Sequence, residues 1–246
     1  MNKGKLIVAN WKMNFFHKQA NDFCKKIILK KRQIKNDFII CPPLSLIFLL
    51  SIKFKQIKFG AQDCFPSDKF APSTGDVNPR MLKDINCNYT LIGHSERRQF
   101  HHEDEVLIHL KILSALKSKL NPILCIGENI SEKKGGITKK VLKYQLQKVL
   151  SPTKKDFKKI IIAYEPVWAI GTGKTPSVEE ISNIIFYIKK IIFKISSVYK
   201  NTKVLYGGSV DINNSKLFLN NVNIDGLLVG GASLNFNSFF SMLKYK

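Results

Sequence analysis

Short apolar runs recur about every thirty residues along this chain, and that recurrence constrains its fold more than any other feature. They lie at 6–9, 38–41, 57–61, 89–93, 122–126, 160–164, 204–206 and 224–229. Between them the spacing changes to that of amphipathic helices, as in Ala20, Phe23, Cys24, Ile27 and Ile28, or Ile181, Ile184, Ile185, Ile188, Ile192 and Ile195. Runs without clean polar alternation, separated by helices, predict parallel strands covered on both faces. Eight such units in 246 residues favour a closed (β/α)8 barrel over an open doubly wound sheet. α/β barrels reach this length as one domain, and no Pro/Gly/Ser tract divides the chain, so 1–246 is expected to be a single domain.

In a parallel barrel the ends of the strands and the loops after them form the working face. The most informative of these junctions is A-Y-E-P-V-W-A-I-G-T-G-K-T, residues 163–175. Glu165 stands where the sixth apolar run stops and Pro166 follows at once. Gly171 and Gly173 lie in the following loop, where glycine lets backbone fold closely over a ligand and present N–H groups to it. The arrangement predicts a lid beside a base. Ser177 and Glu180 have the spacing of a capping box that starts the next helix.

Other strand ends carry comparable signals. The first runs into Asn10-Trp11-Lys12-Met13-Asn14, the fourth into Gly93-His94-Ser95-Glu96-Arg97-Arg98, and the fifth ends in Cys125-Ile126-Gly127-Glu128. Ser95 opens a helix and is a candidate N-cap. The seventh and eighth runs lead into Tyr206-Gly207-Gly208-Ser209-Val210 and Val229-Gly230-Gly231-Ala232-Ser233. Glycine turns after the last two strands are where a barrel commonly holds phosphate on backbone N–H groups. A long connection, 62–78, contains Thr74-Gly75-Asp76.

These segments, in this order, resemble the triosephosphate isomerase family over nearly the whole chain. The resemblance implies a homodimeric, cofactor-free enzyme that interconverts dihydroxyacetone phosphate and D-glyceraldehyde 3-phosphate. It assigns Glu165 as the base, His94 as the imidazole that hydrogen-bonds the carbonyl, and Asn10 and Lys12 as substrate contacts. A helix N-terminus disfavours imidazolium, so His94 is expected to be neutral, an argument for which this family is itself a worked case. Gly171, Ser209, Gly230 and Gly231 match phosphate-binding positions, Glu96 would hold Lys12, and Cys125 is a packing thiol near the site. The lid would comprise Pro166, Val167, Trp168, Ala169, Ile170, Gly171, Thr172, Gly173, Lys174 and Thr175. Thr74 and Gly75 would insert into a second subunit. The chain departs from the commoner family pattern at Phe70-Ala71-Pro72-Ser73 and at Pro176, which restricts the lid's second hinge.

Composition bounds the alternatives. The formal charge is +22, with 40 basic residues against 18 acidic ones, which invites a nucleic-acid reading. Only Arg32, Arg80, Arg97 and Arg98 are arginine, whereas base readout and planar phosphate recognition favour the guanidinium fork. Pairs such as Lys25-Lys26, Lys139-Lys140 and Lys189-Lys190 suit solvated helix faces, so no nucleic-acid partner is expected. Five cysteines without C-x-x-C spacing argue for reduced thiols, and the histidines lack metal-site spacing, so neither disulfide nor metal is expected. The longest uncharged run, 38–52, is fifteen residues and broken by Pro42-Pro43, too short to span a bilayer. The N-terminus lacks the features of a secretory signal, which predicts a cytoplasmic location with no membrane partner. Among barrel rivals, an aldolase needs a Schiff-base lysine deep on a strand, and a metal-dependent epimerase needs inward His/Asp ligands. A basic binding protein without catalysis would not need Asn10, Lys12, His94 and Glu165 together.

Overall fold

The computed structural model describes residues 4–150, 159–171 and 175–245. Eight parallel strands close into a barrel in chain order: β1 (Leu6–Asn10), β2 (Asp37–Cys41), β3 (Lys58–Ala61), β4 (Tyr89–Ile92), β5 (Asn121–Ile126), β6 (Ile161–Tyr164), β7 (Val204–Tyr206) and β8 (Gly226–Val229). Every expected run is a strand, with ends moved by at most two residues. The trimmed ends have local causes. Gly93 takes φ 72°, which no strand residue adopts, and the Ile224 N–H donates to the Asn221 carbonyl at 3.3 Å in a turn.

The described helices ring this barrel: α1 (His17–Leu29), α2 (Leu44–Lys53), α3 (Pro79–Asp84), α4 (Ser95–Phe100), α5 (Glu105–Lys117), α6 (Ile130–Lys134), α7 (Thr138–Val149), α8 (Val178–Ile195), α9 (Ser215–Asn220) and α10 (Phe236–Lys244). α8 buries Ile181, Ile184, Ile185, Ile188 and Ile192 on one stripe, each contributing roughly 1.5–3 kcal/mol. The Ser177 hydroxyl accepts from the Glu180 N–H at 3.0 Å, as expected of a cap. The reciprocal half of the capping box is not made, because the Glu180 carboxylate pairs with Lys133.

Side chains on a strand alternate between its two faces, and here both faces are buried. Leu6, Val8, Ile39, Cys41, Leu91, Ile123, Cys125, Ile161, Ala163, Leu205 and Leu228 form a cluster made of strand residues alone, the barrel interior. Their neighbours Ile7, Ala9, Ile40, Ile92, Leu124, Ile162 and Val204 pack instead with helix residues such as Ile27, Ile47, Ile112 and Ile185. The seam between β1 and β8 closes at Gly226, where an added Cβ would fall 1.9 Å from the Leu6 carbonyl oxygen.

The same alternation positions the site. Asn10 continues the inward series Leu6 and Val8, and Glu165 continues Ile161 and Ala163, so polar groups appear where the apolar interior ends. The 62–78 connection contains no helix or strand. It is tied at its base, where the Phe65 N–H donates to the Val77 carbonyl at 2.9 Å and the Asn78 amide donates to the Ser67 and Lys69 carbonyls. Among the described residues, no helix is long and apolar enough to cross a membrane.

Candidate active site

The end of β1 is held in an uncommon backbone conformation. Lys12 takes φ 51°, the left-handed region that costs a side-chain-bearing residue energy. Two amides compensate. The Asn10 side-chain oxygen accepts the Lys12 N–H at 3.0 Å, and the Gln62 amide donates to the Lys12 carbonyl at 2.8 Å and to the Cys41 carbonyl at 3.0 Å. The Lys12 ammonium lies 2.5 Å from the Glu96 carboxylate, and a Cβ on Gly230 would lie 3.6 Å from Lys12 Cε. The β8 glycine turn therefore borders the lysine stem.

After β4, α4 begins at Ser95, but its cap is His94 rather than Ser95. His94 Nδ1 accepts the Glu96 N–H at 3.2 Å, leaving Ser95 as the first helical residue. An imidazole nitrogen that accepts carries no proton, so in the neutral ring the hydrogen is on Nε2. Nε2 lies 3.5 Å from Glu165 Oε1. Arg98 fixes the turn below by donating to the Gly93 carbonyl at 2.8 Å and the Cys125 carbonyl at 3.3 Å, while pairing with Glu105.

Glu165 is 2% exposed. Its Oε2 accepts the Ser95 N–H at 3.3 Å, and its Oε1, beside His94 Nε2, makes no hydrogen bond among the described residues. The backbone of Glu165 is set by the β5 end: its N–H donates to the Ile126 carbonyl at 2.8 Å. Gly127 must be glycine there, because a Cβ would fall 1.7 Å from the Glu165 carbonyl oxygen. Cys125 is fully buried, and burial, with Glu165 beside it, pushes its thiol well above the ordinary value. A thiol so disposed is a neutral packing group. A Cβ on Gly207 would lie 3.0 Å from Glu165 Cγ, so the β7 turn closes the other side.

Sequence reading had given Glu128 and Gln62 no role. Glu128 is fully buried at the start of the loop after β5. It accepts from the Tyr164 hydroxyl at 3.1 Å and the Trp168 indole at 2.8 Å, and its carbonyl accepts the Val167 N–H at 3.0 Å. It thereby fastens the start of the loop after β6, which opens as a 3-10 turn at Val167–Ala169. Burial raises the Glu128 carboxyl above the usual range, against the lowering effect of Trp168, Tyr164 and Lys133. The signal for it in sequence is indirect: a tryptophan in a loop, whose N–H needs an acceptor.

One continuous path thus joins Lys12, Glu96, His94 and Glu165, with Glu96 Oε2 3.7 Å from His94 Nδ1. Ser95, Cys125, Asn10 and Gly230 border it. Ser209 and Gly230 are half-buried and Gly231 is exposed, and their N–H groups have no protein acceptor among the described residues. Gly171 is exposed at φ 68°. Thr172, Gly173 and Lys174 lie outside the described residues. Thr74 and Gly75 are exposed at the tip of the 62–78 connection. No group of three or more His, Cys, Asp or Glu that could hold a metal occurs among the described residues.

The family profile described as triosephosphate isomerase matches residues 5–246. The chain belongs to the triosephosphate isomerase family. The triosephosphate isomerase of Dictyoglomus thermophilum is 42% identical over 246 residues, covering 98% of both chains. Those of Legionella pneumophila and Aquifex aeolicus are 39% and 37% identical over 98% and 96% of both chains. Membership of this family agrees with the strand-end blocks, all of which open on one end of the barrel.

Proposed function

We propose that this chain interconverts dihydroxyacetone phosphate and D-glyceraldehyde 3-phosphate through an enediol or enediolate, with no cofactor. The observation that carries the reading is the path from the Lys12 ammonium through Glu96 and His94 to Glu165 at one mouth of the barrel. Glu165 leaves the Ser95 N–H, takes the proton from the carbon beside the carbonyl and returns it to the neighbouring carbon. His94 donates its Nε2 proton to the carbonyl oxygen as the enediol forms, and takes a proton from the other oxygen as the new carbonyl appears. Lys12 and Asn10 stabilise the negative charge that develops on oxygen. The N–H groups of Gly171, Ser209, Gly230 and Gly231 hold the phosphate, and its binding energy drives lid closure. Closure keeps water from the enediolate, which would otherwise lose phosphate.

The chain acts as a single domain, 1–246, and as a homodimer in which Thr74 and Gly75 enter a partner. Large exposed apolar side chains on the loops after β1 and β3 and at the end of α4 support this: Met13, Phe16, Phe70 and Phe100 are all more than two-thirds exposed. Five unpaired, buried thiols suit a reducing cytoplasm, and no nucleic-acid partner is invoked. A coupled isomerase assay on purified protein tests the reading. Glu165→Gln is expected to lower kcat by about 10²–10⁴-fold while phosphate-analogue affinity stays largely intact. Retained turnover in this variant would remove Glu165 as the base.

A further inference from the structure

A cavity of about 850 Å³ lies away from the catalytic mouth. It lies at the opposite end of the barrel, where the strands begin: Lys5 precedes β1, Lys203 precedes β7 and Asp225 precedes β8. Among the described residues its walls carry five lysines, Lys5, Lys35, Lys189, Lys200 and Lys203, against Asp225 as the one acidic side chain. That acid is already committed, pairing with Lys189 at 2.7 Å and accepting the Val204 N–H at 2.8 Å. Lys5 is fixed on the Asn221 and Ile224 carbonyls at 2.8 and 2.6 Å. Lys35, Lys200 and Lys203 have no ion pair or side-chain hydrogen bond among the described residues.

Lysines such as Lys25, Lys26, Lys139 and Lys140 stand exposed on helix faces. Here lysines converge on a concave space of ligand size, where a field of one sign is focused rather than dispersed. Burial lowers the Lys5 value, with Asp225 raising it and Lys189 lowering it by a smaller amount. Thr202, 6% exposed, lines the same cavity, and its buried hydroxyl oxygen has no partner among the described residues. We propose that this cavity is a second anion site, separate from the catalytic mouth, for a small molecule carrying two or more phosphate groups. A concave pocket of this size fits a compact polyanion, whereas a duplex needs an extended basic stripe.

Titration calorimetry of the intact protein with inorganic tripolyphosphate at about 0.15 M salt tests the assignment. One tripolyphosphate is expected per chain, undisturbed by saturating dihydroxyacetone phosphate. The K35Q/K200Q/K203Q variant is expected to bind it at least about tenfold more weakly, with isomerase turnover and thermal midpoint unchanged. The single variants K35Q, K200Q and K203Q should each weaken it by a smaller step, so the result does not hang on one protein sample. A control, K134Q/K140Q/K143Q, changes three exposed lysines on α6 and α7 and should bind as the parent does. Absence of binding, displacement by dihydroxyacetone phosphate, or equal weakening in the control would overturn the proposal. So would duplex DNA competing as effectively as tripolyphosphate.

Discussion

Lys12 shows how a single side chain is aimed by its surroundings. A lysine after a strand is ordinarily a solvated charge, and in a chain this rich in lysine nothing about Lys12 alone sets it apart. Its left-handed backbone is held from both sides, by Asn10 on its N–H and Gln62 on its carbonyl. Gln62→Ala removes the donor shared by two carbonyls, at a cost of about 1–3 kcal/mol in stability. It also frees the lysine to leave its orientation, so kcat/KM is expected to fall by about tenfold. Denaturant melts and the coupled assay on the same sample check both. The sequence carried Lys12 through its motif. It carried no trace of Gln62, because a glutamine 50 residues away gives no local pattern and the pairing exists only once β1 and β3 stand near each other. The N-cap of α4 was misread for a related reason: serine is the commoner cap, but the histidine one position earlier already offers a ring nitrogen to the Glu96 N–H.

The loops after β5 and β6 behave as one unit, because Glu128 ties Tyr164, Val167 and Trp168 together. Its carboxyl is raised by burial, and the sign of the consequence follows. An acid raised in the folded state holds its proton more tightly there than in the unfolded chain. Its contribution to stability is therefore complete below the ordinary carboxylate value and is lost as pH rises through the raised one. Glu128→Gln keeps an oxygen for the Trp168 indole and cannot ionise. The variant's thermal midpoint, measured against pH, is expected to gain on the parent as pH rises through that window and to run parallel to it well above. A difference that shrank with rising pH would mean that the carboxylate form is favoured by its Tyr164 and Trp168 donors. The strand positions were legible because period-two burial on both sides leaves continuous apolar runs. Their exact ends were not, since Gly93 and Ile224 leave the sheet through a backbone angle and a turn bond that composition does not encode.

The barrel as an object carries +22 formal charges, a field that acts on any anion approaching it. The Debye length is about 8 Å at 0.15 M salt, so added salt screens long-range capture more than contacts within the mouth. Raising salt is expected to increase KM more than it lowers kcat, a split read from steady-state curves at several ionic strengths. Equal effects on both would place the charge dependence in the chemical step. That eight short runs must close on themselves could be read in the sequence, but the lysine-lined cavity at the far end could not, because it depends on how Lys5, Lys189 and Asp225 meet across the chain. The chemistry proposed at the mouth is proton transfer by a carboxylate that exchanges with solvent, and proton NMR of dihydroxyacetone phosphate turned over in D2O reads it. The account predicts deuterium at the carbon next to the aldehyde in newly formed D-glyceraldehyde 3-phosphate; product that keeps only protium there, at full turnover, would contradict it.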